Sequence, residues 1–217
     1  CGACSDACRF KAILSVGTVP LVFPELCHGC GGCAIACPHD AITEVHHPLG
    51  RLREFTRGEV SLVEGRLDIG SSMAPPVIRQ VLRKAQKDRL VLMDAPPGSS
   101  CPVVVTLRGV DVVILVTEPT PFGLHDMQIV AHLVQEIGVP VGVVINRSDG
   151  EEAIIRDWCE ERRIPILASI PDSPEIARAA AAGERLVEVV PGIRARMEKV
   201  WAGIHALSEE VVHAADS

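Results

Sequence analysis

Four cysteines follow one another at a spacing that few folds can satisfy. Residues 27–38 read Cys-His-Gly-Cys-Gly-Gly-Cys-Ala-Ile-Ala-Cys-Pro, a C-x2-C-x2-C-x3-C-P pattern. This is the spacing by which one loop and a short helical turn hold a [4Fe-4S] cluster through soft thiolate ligands. The alternatives are a zinc site and a disulfide framework. Zinc motifs pair two separate CxxC units, so the cluster is the favoured interpretation.

The first residues of the chain repeat this motif. A shift of 29 positions places Cys30, Cys33 and Cys37 on Cys1, Cys4 and Cys8. Such duplication is typical of two-cluster ferredoxins, in which the fourth cysteine of each motif serves the other cluster. We therefore predict two ligand sets. Cluster one takes Cys1, Cys4 and Cys37, and cluster two takes Cys27, Cys30, Cys33 and Cys8.

The counterpart of Cys27 would lie three positions before Cys1, so cluster one has only three cysteine ligands in this sequence. We expect the chain to be either a fragment or a natural truncation. With three ligands, cluster one would be a labile [4Fe-4S] cluster, a [3Fe-4S] cluster or absent.

Composition limits the classes of partner. The sequence is 47% hydrophobic, carries a net charge of −7, and has 3% aromatic residues and no tyrosine. The negative charge and the lack of stacking side chains argue against nucleic acid. No apolar run is long enough to cross a bilayer, which argues against a membrane protein. Seven cysteines in cluster spacing fit a reducing cytoplasm.

The sequence divides into two parts. Residues 1–57 are predicted to form a ferredoxin-like iron–sulfur domain, with a hairpin over residues 12–23 that pairs with residues 41–45. Apolar and polar residues alternate over residues 51–69, which predicts two or three antiparallel strands. Residues 58–217 are predicted to form the C-terminal part of a nucleotide-binding domain.

Apolar strands and helices alternate from about residue 72 onward, which predicts a parallel sheet covered on both faces. A helix should run from Pro75 to Lys87, and a last helix over 192–214 should dock on the domain. Ligands bind at the carboxyl ends of such strands, where the sequence places Asp94, Thr117, Asn146 and Pro171-Asp172. The predicted strands cover residues 90–94, 111–117, 139–146 and 165–170, and the predicted helices between them cover 101–109, 122–137, 150–162 and 174–182.

Several short motifs make the interpretation more specific. They are Asp94-Ala95-Pro96-Pro97-Gly98, Val116-Thr117-Glu118-Pro119, Val144-Ile145-Asn146-Arg147 and Ile170-Pro171-Asp172. With them, the chain resembles the later part of a MinD/ParA/Mrp-type P-loop ATPase that carries an inserted ferredoxin domain. The resemblance implies an α/β, parallel-sheet P-loop NTPase-like domain, incomplete because it lacks the P-loop strand, with an inserted α+β 2[4Fe-4S] domain.

The resemblance also implies roles for four residues. Asp94 would organise Mg²⁺, and Gly98 would sense the γ-phosphate of ATP. Asn146 would hydrogen-bond adenine, and Pro171 would line the base pocket. Simpler structural roles remain open, because Asp and Asn commonly cap turns and strand ends and Pro commonly forms loops.

One departure from the family is plain in the sequence. A phosphate cradle needs G-x-x-x-x-G-K-[ST], and these 217 residues contain neither Gly-Lys-Thr nor Gly-Lys-Ser. In the family this loop lies upstream of the inserted ferredoxin. We therefore expect ATP and Mg²⁺ to bind in the complete protein, and poorly to this chain alone.

Three functions follow as hypotheses. The first is an ATPase whose nucleotide state controls electron or cluster transfer, acting as a homodimer or as a heterodimer with a paralogue, towards a redox partner protein or an apoprotein. The second is a ferredoxin-type electron carrier on a domain that does not hydrolyse ATP. The third is a positioning protein of the MinD/ParA kind.

Overall fold

A computed structural model describes residues 1–17, 19–71, 73–85 and 88–215, with side chains up to Glu209. The chain forms two compact units, Cys1–Met93 and Asp94–Ser217. These units are defined by contacts, and the domain limits at 1–57 and 58–217 stay a prediction.

The first unit is built from short elements and two antiparallel hairpins. Its helices and strands are α1 (Ala3–Ala7), β1 (Ile13–Val16), β2 (Val19–Val22), a 3₁₀ turn (Pro24–Leu26), α2 (Gly32–Ile35), β3 (Gly50–Arg57), β4 (Val60–Leu67) and α3 (Ala74–Leu82).

The first hairpin agrees with the sequence, but its predicted third strand does not form. β1 pairs with β2 from Ile13↔Val22 to Val16↔Val19. Residues 41–45 form neither helix nor strand. The N–H of Ala41 instead donates to the Cys37 sulfur at 3.4 Å, so the segment begins bound to the cysteine loop.

The second hairpin carries helix α3 on one face. β3 and β4 pair over their whole length, and Gly58 turns the chain at the tip with φ 59°. A Cβ atom on Gly65 would lie 2.7 Å from Val81 Cγ2 and 2.8 Å from Val77 Cγ1, so the helix packs directly on the strand backbone. Helix α3 ends at Leu82, earlier than predicted, and Lys87 lies outside the described residues.

The second unit is an α/β layer structure. A parallel sheet of order β5-β6-β7 confirms the predicted fold class. Its elements are α4 (Cys101–Leu107), β5 (Val113–Thr117), α5 (Pro121–Ile137), β6 (Val141–Ser148), α6 (Ala153–Glu161), β7 (Ile166–Pro171), α7 (Pro174–Ala181), α8 (Leu186–Val189) and α9 (Ile193–Ala215).

The main hydrophobic core lies between this sheet and helices α4, α5 and α6. Val134, Val143, Ile145 and Ile155 are completely buried there. On the other side, α9 packs against β7 and β6, as expected for a docked helix. Within the described residues, no helix has the length and apolar character needed to cross a membrane.

The strand predicted over residues 90–94 is wrong. The segment is neither helix nor strand, and the Leu92 side chain is 81% exposed. No described strand pairs with it, so its apolar side chains have no sheet face on which to be buried. An apolar run therefore predicted a strand for which the described structure offers no neighbour.

Candidate functional site

The two cysteine motifs have the same backbone geometry. Gly2 and Gly31 adopt left-handed conformations, with φ 89° and 73°, immediately before α1 and α2. Each glycine carbonyl then accepts a helical hydrogen bond at 3.1 Å, from Asp6 in the first copy and from Ile35 in the second. A side chain at either glycine would strain this turn. The sequence repeat is thus a repeat of structure.

The match continues to the last cysteine of each motif. The N–H of Ala12 donates to Cys8 Sγ at 3.3 Å, and the N–H of Ala41 donates to Cys37 Sγ at 3.4 Å. Lys11 and Asp40, again 29 positions apart, both have positive φ, at 55° and 51°. Helices α1 and α2 pack against each other within the unit. The two loops therefore present their sulfurs in equivalent surroundings.

These backbone N–H groups affect the acidity of Cys8. Desolvation raises the pKa of the Cys8 thiol, but hydrogen bonds from the backbone outweigh it and leave the pKa below its ordinary value. A lowered pKa favours the thiolate, which is the form that binds iron. The contributing backbone groups belong to Ala12, Phe10, Ile13 and Lys11.

The donor set fits an iron–sulfur cluster. All seven motif cysteines are free thiols, and N–H groups of Ala12, Gly29 and Ala41 point at three of the sulfurs. Within the described parts of the chain, no three His, Cys, Asp or Glu side chains lie close enough to hold a single metal ion. In a [4Fe-4S] cluster each thiolate binds a different iron, so the cysteine sulfurs lie farther apart than the ligands of a single metal ion. The assignment of particular cysteines to each cluster stays a prediction.

Parallel strands bring three of the sequence-selected residues to one edge of the second unit. Thr117 ends β5, Asn146 lies near the end of β6, and Pro171 ends β7. The ladder between β6 and β7 is irregular between the Ile145 and Ser148 pairings, which places Asn146 in a bulge. Bulges re-aim side chains and are frequent beside functional sites.

A charged side chain that the sequence did not single out crosses this edge. Arg147 has a positive φ of 51°, and its guanidinium contacts Glu118 at 3.2 Å and Asp172 at 3.7 Å. The charge of Glu118, with that of Asp172, raises the pKa of Arg147 above its ordinary value. The signal was present in the sequence, because Glu118 and Asp172 directly follow β5 and β7, and Arg147 is the penultimate residue of β6.

The remaining nucleotide candidates are not brought to this edge by a strand. Asp94 is exposed in an irregular segment, and within the described residues no ion pair or hydrogen bond joins its carboxylate to the sheet. Gly98 has φ 87°, in a bend that leads into α4. The structure therefore brings together Asn146 and Pro171, but not Asp94 and Gly98. The roles of all four residues remain predictions.

Behind the edge lies a buried carboxylate that the sequence did not reveal. Glu152 is 7% exposed and accepts hydrogen bonds from Ser148 at 2.5 Å and from Ser169 at 3.0 Å. Arg156 forms an ion pair with it. Burial raises the pKa of Glu152, but these partners outweigh burial and lower it below the ordinary value. The glutamate thus joins the end of β6, the start of α6 and β7.

Comparison with known proteins covers both units. Residues 20–43 match the family model described as "4Fe-4S binding domain". An uncharacterized protein of Methanocaldococcus jannaschii, MJ0579, is 28% identical over 145 residues, which cover 66% of this chain and 53% of the relative. The cytosolic Fe-S cluster assembly factor Nubp1 homolog of Drosophila willistoni is 32% identical over 133 residues, which cover 50% of this chain and 43% of the relative.

This chain thus spans about half the length of the curated relatives it matches. Among solved structures, the cell division ATPase MinD of Pyrococcus furiosus matches with a TM-score of 0.52 and 24% identity, over 74% of this chain and 69% of MinD. That likeness shows a shared fold. The shared fold and the iron–sulfur match agree with the resemblance to MinD/ParA/Mrp-type P-loop ATPases that carry an inserted ferredoxin domain.

Proposed function

We propose that this protein binds [4Fe-4S] clusters in its first unit and couples them to a MinD-like ATPase, whose ATP binding and hydrolysis control electron or cluster transfer. The observation that carries the proposal is the combination, in one chain, of a repeated cysteine-loop geometry with a parallel sheet of the MinD fold. Neither feature alone would join redox chemistry to a nucleotide switch.

The cysteines of the first unit have the role of ligands. Cys27, Cys30, Cys33 and Cys8 hold one cluster, and Cys1, Cys4 and Cys37 supply ligands to a second. A bound cluster supplies one-electron redox chemistry. The N–H groups that point at the sulfurs stabilise the negative charge on the thiolates.

The carboxyl edge of the sheet has the role of the nucleotide site. The Asn146 amide can both donate to and accept from adenine, and Pro171 offers an apolar surface beside it. In the complete site Asp94 would position Mg²⁺, and Gly98 would approach the terminal phosphate. Because Asp94 is not held by the sheet in the described structure, this assignment requires the 94–98 segment to lie at the strand ends when nucleotide is bound.

Partners follow from the same reasoning. We propose a homodimer, or a heterodimer with a paralogue, that delivers electrons or a cluster to a redox partner protein or an apoprotein. The similarity to a Drosophila cluster assembly factor favours an apoprotein as recipient. We place the protein in the cytoplasm, where free cysteines stay reduced.

The test is ATP turnover by cluster-reconstituted protein expressed from its full coding sequence, measured with the clusters oxidised and with them reduced. We expect the two rates to differ, and Asp94→Asn to lower both without changing iron content. Cys101→Ser, which changes an exposed cysteine outside the motifs, is the matched control and should preserve the difference. Equal rates in both redox states would reject the coupling.

A second function has its own support. Asp94 lies in a segment that is neither helix nor strand and that pairs with no described strand, which favours an electron carrier on a domain that does not hydrolyse ATP. In that case the same protein would show iron and reversible reduction but no turnover that Asp94→Asn removes.

A further inference from the structure

The β3–β4 hairpin has two faces of different character. Side chains alternate between the faces of a strand, and the register places Leu52, Glu54, Val63 and Gly65 on one of them. Helix α3 covers that face, because it packs on Gly65, and Lys84, just beyond the end of the helix, pairs with Glu54 at 2.8 Å. The hairpin therefore needs only this one face for its packing in the first unit.

We call the opposite face of the hairpin the arginine face. It consists of Arg51, Arg53, Phe55 and Arg57 on β3, and of Val60, Leu62, Glu64 and Arg66 on β4. All of these side chains are exposed to solvent.

Apolar side chains form the centre of the arginine face. Phe55 and Leu62 lie directly opposite each other, and they are 50% and 58% exposed. Val60, next to them, is more exposed still. Helix α3 lies on the other side of the hairpin, so it does not cover these apolar side chains. An apolar centre inside a charged rim is the arrangement of protein–protein interfaces, where aromatic residues and arginine are enriched.

The charges on this face are unbalanced. Arg51 and Arg66 lie directly opposite each other, and like charges in that position repel and destabilise the hairpin. Within the described residues, none of the four arginines has a carboxylate within 4.0 Å. The chain as a whole has a net charge of −7, so the charge of this face is opposite in sign to that of the whole chain. An anionic partner would remove the repulsion.

We propose that the arginine face docks an acidic protein surface with an apolar centre. The further statement that this partner receives the electron or the cluster rests on the proposed function. Arginine can bind carboxylates through two parallel hydrogen bonds, which gives the contact both charge and orientation. Phe55, Leu62 and Val60 supply the apolar contact that charge alone does not.

Other anionic partners fit less well. A nucleic acid would meet the net negative charge of the rest of the molecule, and its phosphate backbone offers no match for the Phe55–Leu62 centre. A vesicle of anionic lipid would also satisfy the arginines, and a second copy of this acidic chain could do so. These three become outcomes of the test.

The test uses the cluster-reconstituted full chain and a fluorescein-labelled synthetic peptide in which glutamates flank a Leu-Phe-Leu centre. Binding is followed by fluorescence anisotropy at low salt. We expect Arg51→Glu/Arg53→Glu to weaken binding roughly tenfold or more. Phe55→Ser should also weaken it, although it leaves the net charge unchanged. If the charge reversal disturbs folding, as judged by circular dichroism, Arg51→Gln/Arg53→Gln tests the same contacts.

The matched control is Arg108→Glu/Arg194→Glu, which changes the net charge equally at two exposed arginines of the second unit. Peptide binding should persist in it. Equal loss in both double variants, or no loss in Phe55→Ser, would overturn the proposal. So would equal or tighter binding of the wild type to single-stranded DNA or to phosphatidylserine vesicles, or a dimer in sedimentation that Arg51→Glu/Arg53→Glu dissociates.

The assay needs neither nucleotide nor a change of redox state. Loss of ATP coupling with peptide binding intact would reject the proposed function alone, and loss of specific peptide binding with coupling intact would reject the docking surface alone.

Discussion

Single side chains hold together the edge where the three parallel strands end. Arg147 is exposed and bridges Glu118 and Asp172, so solvent screens its ion pairs and their contribution to stability is small. Glu152 is buried, and its carboxylate joins Ser148, Ser169 and Arg156. The buried network, rather than the exposed one, should therefore fix the positions of β6 and β7 beside Asn146.

The first prediction concerns pH. Because its folded-state pKa lies below the ordinary value of 4.5, Glu152 stabilises the fold above that pH, and the stabilisation is lost as pH falls through the folded pKa. Glu152→Gln should lower the free energy of unfolding at neutral pH by about 1–3 kcal/mol, because the charged hydrogen bonds are weakened. The difference between variant and wild type should shrink on acidification.

Urea unfolding followed by tryptophan fluorescence measures this effect, since both tryptophans, Trp158 and Trp201, lie in the second unit. Glu151→Gln changes the exposed neighbouring carboxylate and is the control. A Glu152→Gln variant whose stability stays a constant amount below that of the wild type from pH 7 to below pH 4 would contradict the prediction.

The second prediction concerns the crossed ligands. If each motif donates its fourth cysteine to the other cluster, Cys8→Ser removes a ligand from the cluster held by Cys27, Cys30 and Cys33. Cys37→Ser instead removes a ligand from the cluster held by Cys1 and Cys4. Iron and sulfide analysis, with electron paramagnetic resonance of the reduced protein, should show loss of a different signal in each variant. Loss of the same signal in both variants would reject the crossed assignment.

At the scale of elements, α3 approaches β4 so closely that Gly65 leaves no room for a side chain. Gly65→Ala would place a methyl group less than 3 Å from Val77 and Val81. Both valines are branched at Cβ and stiff, so the helix must shift. Replacing glycine by alanine alone can stabilise by about 0.4–1 kcal/mol through the unfolded chain, but overpacking costs about 1–3 kcal/mol and should dominate.

We therefore expect Gly65→Ala to speed proteolysis of the first unit. Adding Val81→Ala, which removes one of the two clashing side chains, should restore part of the resistance. If Gly65→Ala digests as slowly as the wild type, α3 does not pack on the hairpin as described.

The sequence predicted the regular elements well and the isolated ones poorly. β5, β6 and β7 were predictable because each is an apolar run with helices on both sides, and their carboxyl ends had to meet at one edge. The 90–94 run looked the same locally, yet it forms no strand, since strand formation depends on a neighbour that local pattern does not reveal. The Glu152 network was not predictable, because its partners come from three elements and meet only after folding.

At the scale of the whole molecule, the two units are stabilised in different ways. Among the described residues, the buried apolar side chains of the first unit are Ala12 and Ile13, whereas the second unit has an extended core. So small a buried core supplies little of the free energy of folding, and bound metal is one of the ways in which proteins make up for this. The clusters should therefore supply much of the stability of the first unit.

This leads to the fourth prediction. Removal of iron by a chelator should make the first unit sensitive to protease while the tryptophan fluorescence of the second unit keeps its unfolding midpoint. Proteolysis mapped by mass spectrometry, with iron restored as the control, measures the difference. Equal protease resistance with and without iron would show that the first unit folds without its clusters.

The repeated cysteine loops also limit how this module can be divided. When each loop completes the ligand set of its twin, neither loop is a transplantable part, and a cut in the β1–β2 hairpin would leave two pieces that each lack a thiolate. A graft onto another scaffold would have to carry both loops together. If the ligands are shared as predicted, gene fusion and recombination face the same restriction, and the module can be exchanged between proteins only as a whole.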